Sequence, residues 1–127
     1  MKLSLLLMVA VGGAVGSVLR YGANIFLAGL LGSGFPYGIL FINITGCFVM
    51  GVMAGFGSFV WQWPEPVRVL VMVGFLGGYT TFSAFSLDVL TLVERGQHAM
   101  AVGYLFASLM GSLIAVFSGV ALVKALS

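Results

Sequence analysis

The sequence predicts an all-α integral membrane protein of four transmembrane helices, the third of them broken at mid-membrane. Of its 127 residues, 61% are hydrophobic and 6% are charged, whereas a soluble domain carries about 25% charged residues. Four apolar segments exceed the roughly 20 residues that a helix needs to cross a bilayer: Leu3 to Leu31, Tyr37 to Val60, Arg68 to Val93 and Met100 to Val123. The linkers between them are short, so residues 1–127 are expected to form a single membrane domain.

The few charges bear on membrane topology rather than on a binding surface. The net charge of +2 comes from scattered residues, and this leaves no basic patch of the kind that binds nucleic acid. Lys2, Arg68 and Lys124 fall at one membrane face and Arg95 at the other, which weakly favours a cytoplasmic N-terminus. Because this bias is so small, insertion in both orientations is compatible with the sequence.

The first segment combines a small-residue face with one cation. Its leucine-rich start is also typical of a signal peptide, but the apolar stretch continues past Arg20 and favours a full span. Gly12, Gly13 and Gly16 are spaced for close approach of another helix. Arg20 either snorkels to the interface or serves an aqueous vestibule, and Asn24, one turn further on the same face, favours the functional alternative.

The second segment contains one strongly polar side chain, Asn43, in an otherwise apolar run. An amide at that depth must be hydrogen-bonded, either to another helix or to a permeating species, and both alternatives stay open. Gly46, Gly51 and Gly55 indicate a tightly packed helix. Cys47 is the only cysteine in the chain and forms no intrachain disulfide.

The third segment carries a run that disfavours the helix. Gly77 and Gly78 lose much backbone entropy in a helix, and the threonines after them compete for backbone hydrogen bonds. We expect the first half to end near Gly77 and the second to begin near Thr80 or Thr81, with Thr81 or Ser83 as the N-cap. Opposed half-helix ends at the midplane form ion sites, in which free carbonyls suit a cation and a helix N-terminus suits an anion.

Aromatic and acidic side chains follow the break. Phe82 and Phe85 are three residues apart and share a helix face. They are either core or lipid-facing rings, or rings whose electropositive edges meet an anion. Asp88, one turn beyond Phe85, either pairs with an arginine or faces water.

The fourth segment has two stripes at four-residue spacing. One is a small-residue ridge that predicts close helix packing, formed by Gly103, Ala107, Gly111, Ala115 and Gly119. The other consists of the hydroxyls of Tyr104, Ser108 and Ser112. A single serine usually bonds back to its own helix, whereas three hydroxyls on one face favour a polar track.

Three motifs together resemble the Fluc, or CrcB, family of fluoride channels. They are the stretch from Gly12 to Tyr21, Asn43 with Gly46, and the distinctive run from Gly77 to Ser83. The chain length and the four-span layout are similar as well. The resemblance extends over the whole chain.

The resemblance implies a fluoride-selective passive channel, not an enzyme, that exports fluoride and lowers its cytoplasmic concentration. It implies an antiparallel, dual-topology homodimer in the cell membrane, or in the inner membrane of a Gram-negative source, with two fluoride pores. A structural sodium ion (Na+) would be held at the dimer centre by the backbone carbonyls of Gly77 and Thr80. Arg20 would lie in a vestibule, and the pore residues would be Asn43, Phe82, Phe85, Tyr104, Ser108 and Ser112.

Three positions depart from the family pattern, and two other functions compete with it. Ile39 and Ala84 stand where the family often has threonine, and Asp88 stands where glutamate is common. A small multidrug exporter would also have four spans, but it needs a titratable acid deep in the membrane, and Asp88 lies toward the end of its span. A non-conducting accessory subunit would explain the glycines but not the aromatic pair beside a break.

Overall fold

Four helical segments account for nearly all of residues 2–127, the part of the chain that the computed structural model describes. Each is long and apolar enough to cross a membrane. They are helix α1 (Leu3–Leu31), helix α2 (Tyr37–Phe59), a third segment (Glu65–Glu94) and helix α6 (His98–Leu126). The predicted all-helical architecture with four spans is confirmed, and the predicted ends lie within a few residues of the observed ones.

The third segment is not one regular helix. It consists of α3 (Glu65–Arg68), a π-helix termed π1 (Val69–Leu76), α4 (Gly77–Tyr79) and α5 (Ser83–Glu94). Between α4 and α5, Thr80 has extended backbone angles of φ −80° and ψ 156°. The π-helix was not predicted, since nothing in its apolar sequence distinguishes it from an α-helix.

The positions where α4 ends and α5 begins differ from the prediction. Helical structure continues past Gly77 to Tyr79 and resumes at Ser83 rather than at Thr80 or Thr81. The Leu76 carbonyl accepts both the Thr80 backbone N–H, at 3.0 Å, and the Thr80 hydroxyl, at 2.8 Å, which completes one more turn. Gly77 and Gly78 therefore lie inside a helix rather than at its end, and of the two only Gly78 is in close contact with another helix.

Helix α1 packs directly onto the backbone of the third segment, as its glycines predicted. A Cβ added at Gly12 would lie 2.8 Å from the Phe75 nitrogen, and one added at Gly16 would lie 2.8 Å from the Tyr79 nitrogen. A Cβ at Gly78 would lie 2.7 Å from the Gly13 carbonyl oxygen. The small residues of both helices therefore allow contact between backbones, which a methyl group would prevent.

Helix α2 packs along α6, and here the predicted small-residue ridge is only partly right. A Cβ at Gly119 would lie 2.7 Å from the Val52 nitrogen, and one at Gly111 would meet the Ile44 side chain, whereas one at Gly103 would meet nothing within 4 Å. Ala107 is exposed. An α-helix has about 3.6 residues per turn, so residues four apart are rotated by about 40° around the helix axis. A stripe with this spacing on α6 therefore turns away from α2 along its length.

The buried core lies toward the end of the bundle where α2 begins. It joins α2, α5 and α6 through Ile39, Ile42, Phe85, Leu92, Ala101 and Tyr104. Many of the other large apolar side chains are exposed on the single chain. This is expected where lipid or another subunit replaces water as the neighbour.

Candidate functional site

Asn43 binds the backbone of the third segment at the point where it is not helical. Its Nδ2 donates to the Thr81 carbonyl, and its Oδ1 accepts the Thr81 N–H, both at 2.9 Å. A backbone N–H can only donate, so this pair also determines which way the amide points. The role of Asn43 in joining two helices is thus observed, and its second Nδ2 hydrogen is not needed for either bond.

Two backbone carbonyls near this point lack the N–H donors that a continuous helix would supply. In a continuous helix the Gly77 carbonyl would accept the Thr81 N–H, but that group donates to Asn43. The Thr80 carbonyl would likewise accept the Ala84 N–H, but that group donates to the Thr81 hydroxyl at 3.1 Å. Thr81 therefore provides the predicted cap at the start of α5, and the carbonyls of Gly77 and Thr80 lose their usual partners.

A groove of about 450 Å³ runs beside this point between α2, α5 and α6. Seven of the nine site residues predicted from the sequence line it. They are Asn43, Gly77, Thr80, Phe82, Phe85, Ser108 and Ser112. The fold thus brings together residues that are up to 69 positions apart in the sequence, since Asn43 and Ser112 face one space.

An aromatic row leads from the groove into the core. The ring centroids of Phe82 and Phe85 are 5.4 Å apart, and those of Phe85 and Tyr104 are 5.3 Å apart. Phe82 is 72% exposed on the single chain, whereas Phe85 is 5% exposed and Tyr104 is fully buried. The row therefore extends from an open surface to the interior.

At the inner end of the row, Tyr104 bonds to Asp88, an acidic residue of α5. Its hydroxyl donates to Asp88 Oδ2 at 2.9 Å. Asp88 also lines a second cavity of about 180 Å³, together with Asn24, Thr91 and Arg95. Tyr104 is fully buried and does not line the groove, and the rings of Phe35 and Phe85 pack against it. Its pore role stays a prediction.

Ser108 has a different environment from the other hydroxyls. It is 5% exposed and lines the groove. Its Oγ has no hydrogen-bond partner among residues 2–127, including its own helix. Back-bonding is thus not its role here, and the groove contains a polar group that protein atoms do not satisfy.

The predicted pairing of Arg20 with Asn24 is not observed. Within the described chain, neither side chain has a hydrogen bond to the other, and Arg20 lines neither of these two cavities. Asn24 packs instead against Gly38 at the contact between α1 and α2. The vestibule role of Arg20 stays a prediction.

Sequence reasoning missed Cys47 and Thr81 as groove-lining residues. Cys47 follows Asn43 by four residues, and this spacing alone places both side chains on one face of α2. For Thr81 the sequence predicts only a helix cap, since no sequence pattern links it to Asn43.

Comparison with known proteins places the chain in one family. The family model described as CrcB-like protein, Camphor Resistance (CrcB) matches residues 7–120. The chain is 48% identical over 126 residues to the fluoride-specific ion channel FluC 1 of Nitrobacter hamburgensis, covering 99% of this chain and 100% of the relative. It is 46% identical over 122 residues to the fluoride-specific ion channel FluC of Rhodospirillum centenum, covering 96% and 97%.

A third relative shows the same extent of similarity. The fluoride-specific ion channel FluC of Rhizobium etli is 48% identical over 120 residues, which covers 94% of this chain and 96% of the relative. These matches cover 94% to 99% of the chain and so include all four helical segments. The protein with this groove is therefore a multi-pass membrane protein that belongs to the CrcB family.

Proposed function

We propose that this protein is a fluoride-selective passive channel of the cell membrane, which exports fluoride. The observation that carries this proposal is the groove in which an amide, two aromatic rings and two serine hydroxyls meet. The similar proteins of three bacterial species are named fluoride-specific ion channels. Such a protein is a transporter and not an enzyme, so the groove needs no nucleophile or general base.

The groove residues would replace the water around a fluoride ion. Asn43 keeps one N–H beyond its two bonds to Thr81. The hydroxyls of Ser108 and Ser112 add donors, and ring edges of Phe82 and Phe85 add the positive part of an aromatic quadrupole. Several weak donors in a row suit conduction, because an ion must enter each position and also leave it.

A second copy of the chain would complete the pore. The Phe82 ring is 72% exposed at the groove, and polar backbone at residues 80–82 must be shielded from lipid. We propose an antiparallel homodimer in which the third helix of each subunit is broken at mid-membrane. The small charge bias of the sequence is compatible with insertion in both orientations.

Export would need no energy source other than the membrane potential. An inside-negative membrane potential favours the exit of an anion by about 2.3 kcal/mol per elementary charge for each 100 mV. A selective channel therefore lowers internal fluoride passively as long as the potential is maintained.

The backbone near the break fits a structural sodium ion. The carbonyls of Gly77 and Thr80 have lost the N–H groups that a continuous helix would supply, and hard cations prefer such oxygen ligands. Residues 2–127 contain no cluster of His, Cys, Asp and Glu side chains that would hold a metal ion. We propose that carbonyls of both subunits hold one sodium ion, which also compensates backbone groups that lipid leaves unpaired.

Sodium is expected to stabilise the dimer. Because a ligand that binds only the folded state raises its stability with concentration, the unfolding midpoint should rise when sodium is added to protein purified without it. The measurement is thermal unfolding in detergent at constant ionic strength, with potassium and N-methylglucamine as the comparison cations. Equal midpoints in all three cations would contradict the sodium proposal.

The channel function is tested by ion efflux from liposomes that hold the purified protein. Liposomes are loaded with potassium fluoride or potassium chloride, and valinomycin carries potassium so that anion movement limits the rate. We expect rapid fluoride efflux with chloride retained, as measured by ion-selective electrodes. Retention of both anions would contradict the proposal. The next experiment would then test whether a proton gradient drives transport through Asp88, as in a small multidrug exporter.

The role of the aromatic rings is tested by Phe82→Ile, with Phe117→Ile as a matched control. Both phenylalanines are 72% exposed, but only Phe82 lines the groove. We expect Phe82→Ile to lower fluoride efflux on the order of tenfold, because an aliphatic side chain has no electropositive edge. Equal efflux in the two variants would remove the Phe82 ring from the mechanism.

A further inference from the structure

A thiol lies on the wall of the groove. Cys47 is half-buried on α2 and lines the groove together with Asn43, one turn before it, and Thr80 of the third segment. It lies near the middle of α2 (Tyr37–Phe59), so its sulfur is far from either membrane surface. It is the only cysteine in the sequence.

The same groove contains a buried hydroxyl that lacks a protein partner. Ser108 is 5% exposed, and its Oγ makes no hydrogen bond within residues 2–127. Buried polar side chains in proteins nearly always have a partner, either protein or water. We therefore expect the Ser108 hydroxyl to bind water or another small polar ligand, and Cys47 lines the same groove.

We propose that Cys47 is a covalent modification site on the wall of the permeation path, at which a small thiol reagent blocks fluoride passage. This inference rests on the proposed channel function. The ligand class is a small, neutral, thiol-specific electrophile. The probe is methyl methanethiosulfonate, which is small enough to enter the groove.

The reaction is balanced without any other reactant. The Cys47 thiolate attacks the sulfenyl sulfur of the reagent, a new S–S bond forms, and the bond between that sulfur and the sulfonyl group breaks. Methanesulfinate leaves with the electron pair, and the thiol proton goes to water. The cysteine sulfur is oxidised to a disulfide, and the reagent is reduced to the sulfinate. The thiolate is the reacting form of cysteine. Water must therefore reach the sulfur to accept the thiol proton.

The product would obstruct the groove at its polar wall. The added methylthio group extends from α2 into the space that Asn43, Ser108 and Ser112 share. It carries no hydrogen-bond donor, so a dehydrated anion beside it would lose stabilisation as well as room. Modification is therefore expected to reduce fluoride efflux on the order of tenfold or more.

The test uses the full-length protein in liposomes and has two readouts. Fluoride efflux is measured before and after treatment, and the intact mass of the protein reports whether the adduct has formed. We expect one adduct per chain and a matching loss of efflux, reversed by a reducing agent. Cys47→Ser has no thiol, so its mass and its efflux should be the same before and after treatment.

Two results would overturn the proposal. One is a complete adduct with unchanged efflux, which would place the thiol outside the path. The other is no adduct in liposomes while the denatured protein reacts, which would show that the groove excludes the reagent. A lack of fluoride efflux before treatment would instead contradict the channel function, and the mass measurement would still report access to Cys47.

Discussion

Replacing Asn43 by leucine is expected to lower fluoride efflux at least tenfold and to destabilise the protein. The substitution removes both hydrogen bonds to Thr81, and leaves a backbone N–H and a carbonyl without partners at membrane depth. Each unsatisfied group costs about 1–3 kcal/mol, so the total is about 2 kcal/mol or more. It also removes the remaining amide N–H that would face the ion. Liposome efflux and thermal unfolding in detergent measure the two effects.

The matched control for Asn43→Leu is Thr45→Val on the same helix. The Thr45 hydroxyl bonds to the Phe41 carbonyl at 2.8 Å and to the Tyr79 hydroxyl at 2.9 Å, and it does not line the groove. Loss of the Thr45 hydroxyl is expected to lower the free energy of unfolding by about 1 kcal/mol and to leave fluoride efflux unchanged. Wild-type efflux and stability in Asn43→Leu would show that the Thr81 pairing has no functional role.

Replacing Gly119 by alanine is expected to separate α2 from α6. The new Cβ would contact the Phe48 carbonyl and lie 2.7 Å from the Val52 nitrogen. Backbone atoms cannot rotate away as a flexible side chain does, so one or both helices must shift, at a cost of about 1–3 kcal/mol. We expect the thermal unfolding midpoint in detergent to fall by several degrees.

Gly103→Ala is the control for Gly119→Ala, because both glycines belong to the same predicted ridge on α6. A Cβ at Gly103 meets nothing within 4 Å, and alanine is favoured over glycine in helices by about 1 kcal/mol. Its unfolding midpoint should be unchanged or slightly higher. Equal losses in the two variants would contradict the packing described for Gly119.

Those residues of the candidate site that residue type and spacing within one helix identify were predictable from the sequence. Asn43 is conspicuous because it is polar in an apolar run, and Phe82 and Phe85 because they share a face next to two glycines. The pairing of Asn43 with Thr81 was not predictable, since it joins residues 38 positions apart. The burial of Tyr104 was not predictable either. The hydroxyl stripe along α6 does not indicate that Asp88 and two aromatic rings pack against Tyr104.

The sequence by itself determined that four helices cross a membrane, where they begin and end within a few residues, and to which family they are similar. These properties depend on hydrophobicity and local spacing, which the chain carries at every position. Tertiary structure decided the π-helix at Val69–Leu76, the end of α4 at Tyr79 and the rotation of α6 that leaves Gly103 uncovered. It also decided that the carbonyls of Gly77 and Thr80 lose their helical donors to Asn43 and Thr81. A backbone polar group inside a membrane must form a hydrogen bond within the protein. Where the helix is interrupted, helix packing determines its partner, and that partner can be a residue far away in the sequence.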